Sequence, residues 1–163
     1  MIKTIITDFS YVLLYPKDRN YTDSLNGLYA KVNSDSPDFD FFSYFQLDLD
    51  VLEYYAILAR NYSLHIFTSS VIQNDPQVQE YIAHVFQGIF SAEELGIKKN
   101  DPAGYTYLTQ ILHQDPSEIA FIDDSERNVT AAQEAGLWGV QFESLEKLKN
   151  DLEKLCALAE KTP

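Results

Sequence analysis

Ile119-Ala120-Phe121-Ile122-Asp123-Asp124-Ser125 runs from four apolar residues straight into two acids and a serine, and Glu126 to Ala135, closed by Gly136, follows with the length and stop signal of a helix. A short unbroken apolar run is the mark of a strand buried on both faces, which belongs to a parallel sheet covered by helices. Two more stretches carry the same signature: Ile2 to Phe9, with Asp8 near its end, and Ser63-Leu64-His65-Ile66-Phe67-Thr68. Val78 to Phe86 and Tyr105 to Leu112 have helical periodicity between the second and third of these strands, so the alternation predicts an α/β fold of three layers. Trp138 to Phe142 reads as a further short strand, and Leu145, Leu148, Leu152, Leu155 and Leu158 outline a final amphipathic helix. Helix starts are marked at Asp75-Pro76 and Asp101-Pro102, at Ser91-Ala92-Glu93-Glu94 with capping-box spacing, and at Ser125. In such sheets ligands gather at the carboxyl ends of the strands.

The segment from Tyr15 to Leu49 interrupts this alternation. Its aromatic residues, Tyr21, Tyr29, Phe39, Phe41, Phe42, Tyr44 and Phe45 among them, are mixed with Asp, Ser and Asn, and they are too few for an independent core. The expected organisation is a core domain of residues 1–14 and 50–163 with a small, mainly helical cap at 15–49, which also reads as a structural insertion or self-association surface. A helix from Asp50 to Arg60 returns the chain to the core.

With 163 residues, one core burying roughly 68–70% of the unfolded surface is expected, without metal or disulfide to hold it. A net charge of −13, from 12 basic and 25 acidic residues, disfavours phosphate backbones and acidic membrane faces, so neither nucleic acid nor membrane is an expected partner. The same charge repels anionic substrates at long range, and a phosphate ester would need a local cation to reverse the field. The single cysteine, Cys156, excludes an intrachain disulfide and reads as a small buried hydrophobe. The first residues contain no secretory pattern and no window reaches 18 apolar residues, so a cytoplasmic protein, monomeric or weakly dimeric, is expected.

Asp8, Thr68, Lys99 and Asp124 all fall at strand ends or before a helix, where a parallel sheet can bring them to one edge. Paired carboxylates with an oxygen-rich loop can hold a hard divalent ion. A lysine can neutralise developing oxygen charge, a threonine hydroxyl can bind a phosphoryl oxygen, and an aspartate can attack phosphorus. His65, His84 and His113 are dispersed and offer no metal-binding spacing.

At these residues the chain resembles the haloacid dehalogenase superfamily, most of whose members are phosphatases. Asp8-Phe9-Ser10-Tyr11-Val12-Leu13 is similar to the first motif, in which a second Asp stands two residues after the nucleophile. Ile66-Phe67-Thr68-Ser69-Ser70 resembles the second motif, Lys99-Asn100-Asp101-Pro102 a Lys-Pro-Asp-Pro stretch, and Phe121-Ile122-Asp123-Asp124-Ser125-Glu126-Arg127-Asn128 the acidic fourth motif. The resemblance implies a Rossmann-like sheet and a magnesium-dependent hydrolase of a small phosphorylated molecule. Asp8 would be the nucleophile, Thr68 would bind the phosphoryl group and Lys99 would stabilise Asp8. Asp8, Asp124 and the backbone carbonyl of Ser10 would hold the ion, supported by Asp123 and Asn128.

Ser10 stands where family phosphatases carry the acid that protonates the leaving oxygen, a contribution of about 10²- to 10⁴-fold. Tyr11 stands where the loop usually has Gly, so its ring is expected to narrow the entrance or pack beneath the cap. These departures leave two alternatives: a catalytically silent homologue that binds a small molecule or protein, and a dehalogenase-like hydrolase. The latter would need an arginine-rich pocket, for which only Arg19, Arg60 and Arg127 are available. Lys98 and Lys99 are adjacent, and the position before Asn100-Asp101-Pro102 favours Lys99.

Overall fold

A computed structural model of the chain describes residues 1–159, and the apolar runs form its central strands. β1 (Thr4–Thr7) is buried along its whole length. The chain then enters an insertion bounded by β2 (Leu14–Pro16) and β3 (Phe45–Leu47), which pair antiparallel with Leu14 opposite Leu47. Between them lies α1 (Leu25–Asp35), started by Ser24, whose side chain accepts from the Gly27 amide. α2 (Leu49–Leu58) leads back to β4 (Ser63–Thr68), and from there helices and strands alternate: α3 (Pro76–Ile82), β5 (Gly88–Ser91), α4 (Ala92–Leu95), α5 (Pro102–Leu112), β6 (Ile119–Asp123), α6 (Glu126–Glu134), β7 (Trp138–Gln141) and α7 (Leu145–Ala159).

The five strands outside the insertion form one parallel sheet in the order β5-β4-β1-β6-β7. Side chains alternate across each strand, so one strand feeds two cores. Ile5, Leu64, Ile66, Ala120 and Ile122 face an apolar cluster with α2, α3 and α7, while Ile6, Phe67 and Phe121 face Tyr105, Leu108, Ala131 and Ala132 of α5 and α6. This is the expected three-layer α/β architecture with a helical insertion. Register brings the chemistry to one edge: Thr7, at the end of β1, lies opposite Ile66 of β4 and Ile122 of β6, and the Asp8 amide then donates to the Ile122 carbonyl at 2.7 Å.

Some local readings are corrected. The stretch Val78 to Phe86 is helical only as far as Ile82, and Gly88–Ser91 forms an edge strand that its short, partly exposed sequence did not announce. Ser125 occupies the cap position of α6, but its side chain makes no capping bond. The insertion contains a two-stranded ribbon besides its helix, and its Leu25, Val32, Phe39, Phe41 and Phe45 belong to the same apolar cluster as the sheet. Cys156 is half-buried, with its sulfur 3.2 Å from the Tyr62 hydroxyl. Leu148, Leu152 and Leu155 of α7 are buried, whereas the Leu158 side chain lies outside the described residues. Among the described residues no helix is long and apolar enough to cross a membrane.

Candidate active site

Asp8 emerges from the central strand at the carboxyl edge of the sheet. One of its carboxylate oxygens accepts from the Phe9 amide at 2.7 Å and lies 2.7 Å from the Lys99 ammonium. Lys99 also reaches Asp123, again at 2.7 Å, so one cation bridges the ends of β1 and β6. Asp123 is fully buried, yet every side of its carboxylate is served: Ser125 donates its amide at 2.9 Å and Asn128 its side-chain amide at 3.1 Å to each oxygen. A buried charge needs partners of this kind to persist. Asp124, the next residue, turns outward and is exposed.

The same geometry sets the protonation states. Burial pushes the Asp8 carboxyl up to about 7; the Lys99 ammonium pulls against this rise, and the neighbouring Asp123 adds to it. For Lys99, burial by itself favours the neutral amine, but the Asp8 and Asp123 carboxylates outweigh it and hold the ammonium above its ordinary value. Asp124 is also raised, by partial burial and by Asp123, with Lys99 opposing.

Asp8, Asp123 and Asp124 each offer a carboxylate oxygen within 4.8 Å of the others. An all-oxygen set of this charge suits a hard divalent cation and gives no foothold for a soft one. Beside it, the Thr68 hydroxyl at the end of β4 is buried with no partner among the described residues, and so is the Ser10 hydroxyl. Buried hydroxyls without partners are uncommon, and here one ends the strand beside β1 and the other stands two residues after Asp8. Of the two adjacent lysines, Lys99 is buried and Lys98 exposed.

Half-buried Tyr11 packs its ring edge-to-face on Tyr15, at the start of the insertion, with centroids 6.1 Å apart. Its backbone takes φ +60, a region that costs a non-glycine residue about 1–2 kcal/mol. Two bonds hold it there: its hydroxyl donates to the Asp23 carbonyl at 2.7 Å, and Tyr15 donates to the Tyr11 carbonyl at 2.8 Å. The loop after Asp8 is thereby tethered to the residue just before the cap of α1.

Two residues that the sequence did not mark as part of the site position Lys99. The Tyr105 hydroxyl, buried at the start of α5, donates to the Lys99 carbonyl at 2.6 Å. Gly104 lets α5 approach the same loop, since a Cβ there would come within 2.6 Å of the Lys98 carbonyl. A glycine inside a helical pattern was the available signal, and the partner it approaches is not legible from spacing.

A model of haloacid dehalogenase-like hydrolases matches residues 20–136, most of the chain. The chain belongs to the haloacid dehalogenase-like hydrolases. The match begins after the loop that carries Asp8, Ser10 and Tyr11. Over 104 residues this hydrolase-family chain is 29% identical to flavin mononucleotide hydrolase 1 of the Arabidopsis thaliana chloroplast, covering 61% of the chain and 41% of that protein. It thus spans only about two-fifths of this curated relative. Among solved structures, a haloacid dehalogenase-family enzyme from Bacteroides thetaiotaomicron, in complex with magnesium and inorganic phosphate, superposes with a TM-score of 0.65 at 16% identity, covering 89% of this chain and 96% of that one. A dehalogenase solved as an intermediate complex gives the same TM-score, 0.65, at 14% identity, covering 88% and 86%. At such identities the likeness is one of fold.

Proposed function

We propose that the chain is a magnesium-dependent hydrolase of small phosphomonoesters that works through an aspartyl-phosphate on Asp8. The observation that carries this reading is the cluster of Asp8, Asp123 and Asp124 carboxylates beside a buried lysine at the sheet edge. Asp8, Asp124 and the Ser10 carbonyl would hold the magnesium, with Asp123 and Asn128 supporting them. When bound, the ion would supply positive charge to the phosphoryl oxygens. The Asp8 carboxylate attacks phosphorus, the ester P–O bond breaks, and the leaving alkoxide takes a proton from solvent. Water then attacks the phosphorus of the acyl phosphate, releasing inorganic phosphate and restoring the carboxylate. Lys99 balances charge on Asp8 and on the transferring oxygens, and the unpartnered Thr68 hydroxyl donates to one of them. Residues 1–14 and 50–163 form the catalytic core in this reading, with 15–49 as its cap.

The second step and the leaving group lack a carboxylic acid at Ser10. Esters with good leaving groups are therefore the expected substrates of the native chain. Magnesium-dependent hydrolysis of p-nitrophenyl phosphate should fall at least 10³-fold in Asp8→Asn, and equal rates in the two proteins would overturn the nucleophile. Ser10→Asp should raise turnover of unactivated alkyl phosphates by about 10²- to 10⁴-fold, the contribution of a positioned general acid and base. Riboflavin 5′-phosphate belongs among the substrates tested, because the Arabidopsis relative is a flavin mononucleotide hydrolase.

A silent binding homologue is the second reading, favoured by the serine hydroxyl buried without a partner at position 10. Its signature is phosphate binding without turnover in either assay. A dehalogenase is less well supported: Arg19, Arg60 and Arg127 are all exposed, so no buried arginine faces Asp8. Halide release from 2-haloacids would be needed to revive it.

A further inference from the structure

A cleft of about 360 Å³ is lined in part by Lys99 and Asn128, the two side chains that hold Asp123 of the carboxylate cluster. Ser69, Lys98, Asn100 and Arg127 line it as well. The cleft thus shares Lys99 and Asn128 with the proposed phosphoryl site, takes the rest of its lining from Ser69, α4, the loop before α5 and the start of α6, and includes no residue of the insertion.

Its charge is the reverse of the molecule's. In a chain with 25 acids and 12 bases, a surface cation finds a carboxylate easily, yet Lys98 and Arg127 make no ion pair with any described residue. The one acid on the cleft wall, Glu93, accepts instead from the Ser70 hydroxyl at 2.5 Å. Lys99, by contrast, is paired with both Asp8 and Asp123. Two unpaired cations with amide and hydroxyl donors around them match a second anion.

We infer that this cleft binds a second anionic group of the substrate, with Lys98 and Arg127 as its specificity-determining residues. The inference rests on the phosphatase reading and narrows it to phosphomonoesters that also carry a carboxylate or a further phosphate a few atoms from the scissile bond. The pair reverses, at the mouth of the site, the repulsion that a net charge of −13 exerts on such a molecule.

Calorimetric binding of two non-hydrolysable phosphonates to the full chain in magnesium tests it. 3-Phosphonopropionate, with its carboxylate, should bind at least tenfold more tightly than propylphosphonate, which lacks one. In the Lys98→Ala/Arg127→Ala double variant that ratio should fall to within twofold of one. Both positions are exposed, so folding is not at risk, and an unchanged melting temperature verifies this. A wild-type ratio near one, or a tenfold ratio that survives the double substitution, overturns the second-anion site while leaving the phosphatase reading intact. Failure of both phosphonates to bind overturns the phosphatase reading, and the inference with it.

Discussion

Asp8 is a carboxylate held out of water, and Lys99 is what makes its ionised form tenable. The two effects have a measurable consequence in magnesium-free protein. The Asp8 carboxyl titrates near 3.8 unfolded and near 7 folded, so between these values the folded chain keeps a proton that the unfolded chain has lost. Its stabilising contribution is complete below 3.8 and disappears as pH rises through 7, a loss on the order of 4 kcal/mol at most. Denaturation in EDTA should therefore find wild type losing stability relative to Asp8→Asn between pH 5 and pH 8. His65, lowered by burial, titrates with the opposite sign but is present in both proteins and cancels in the difference. A difference that does not move with pH would mean that Asp8 is already ionised at pH 5. Asp8, Lys99 and Asp123 were legible in the sequence because each stands at a strand end or before a helix, whereas the bond from Tyr11 to Asp23 joins residues whose contact no periodicity encodes.

At the scale of elements, α5 acts as the mount for Lys99. Proline at its first turn and Asp101 as its cap, accepting from the Ala103 amide at 3.0 Å, fix where the helix begins. Gly104 and Tyr105 then fasten it to the loop before it, the first by close approach and the second by a buried hydrogen bond. Gly104→Ala forces a methyl against the Lys98 carbonyl, and either the loop or the helix must move. The expected cost is about 1–3 kcal/mol in urea denaturation, typical of overpacking at a tight contact, accompanied by weaker phosphate binding. Full stability with full binding would show that the loop yields freely. The buried strands were readable because both faces of each are apolar, which gives a continuous run. β5 was not: Gly88, Ile89 and Phe90 are only partly buried at the sheet edge, and so short a run carries little signal. The early end of α3 was missed for a related reason, since Val85 and Phe86 are buried and continue the apolar pattern after the helix has stopped.

For the whole molecule, the alternation of strands and helices and the four motif stretches were enough to outline one sheet with chemistry at one edge. What they could not convey is how the insertion is attached, because a cluster of aromatic residues announces burial without naming its partner. The structure answers with Leu25, Phe41 and Phe45, each no more than 1% exposed and all in the cluster that also holds Ile5 and Ile66. Tyr29 adds a hydrogen bond to the buried Asp75 at 3.2 Å, and Gln77 one to the Phe39 carbonyl at 3.1 Å. Swinging this segment away as a body would uncover those side chains, at roughly 1.5–3 kcal/mol for each. Its opening is therefore a partial unfolding event, and the amides of α1 should resist hydrogen exchange nearly as well as those of β1 and β4; rapid exchange throughout α1 would refute this. A jaw that cannot open without melting does not select by closing. The molecule is better regarded as a fixed aperture, whose choice of substrate is made by the outline and charge of its rim, before any motion takes place.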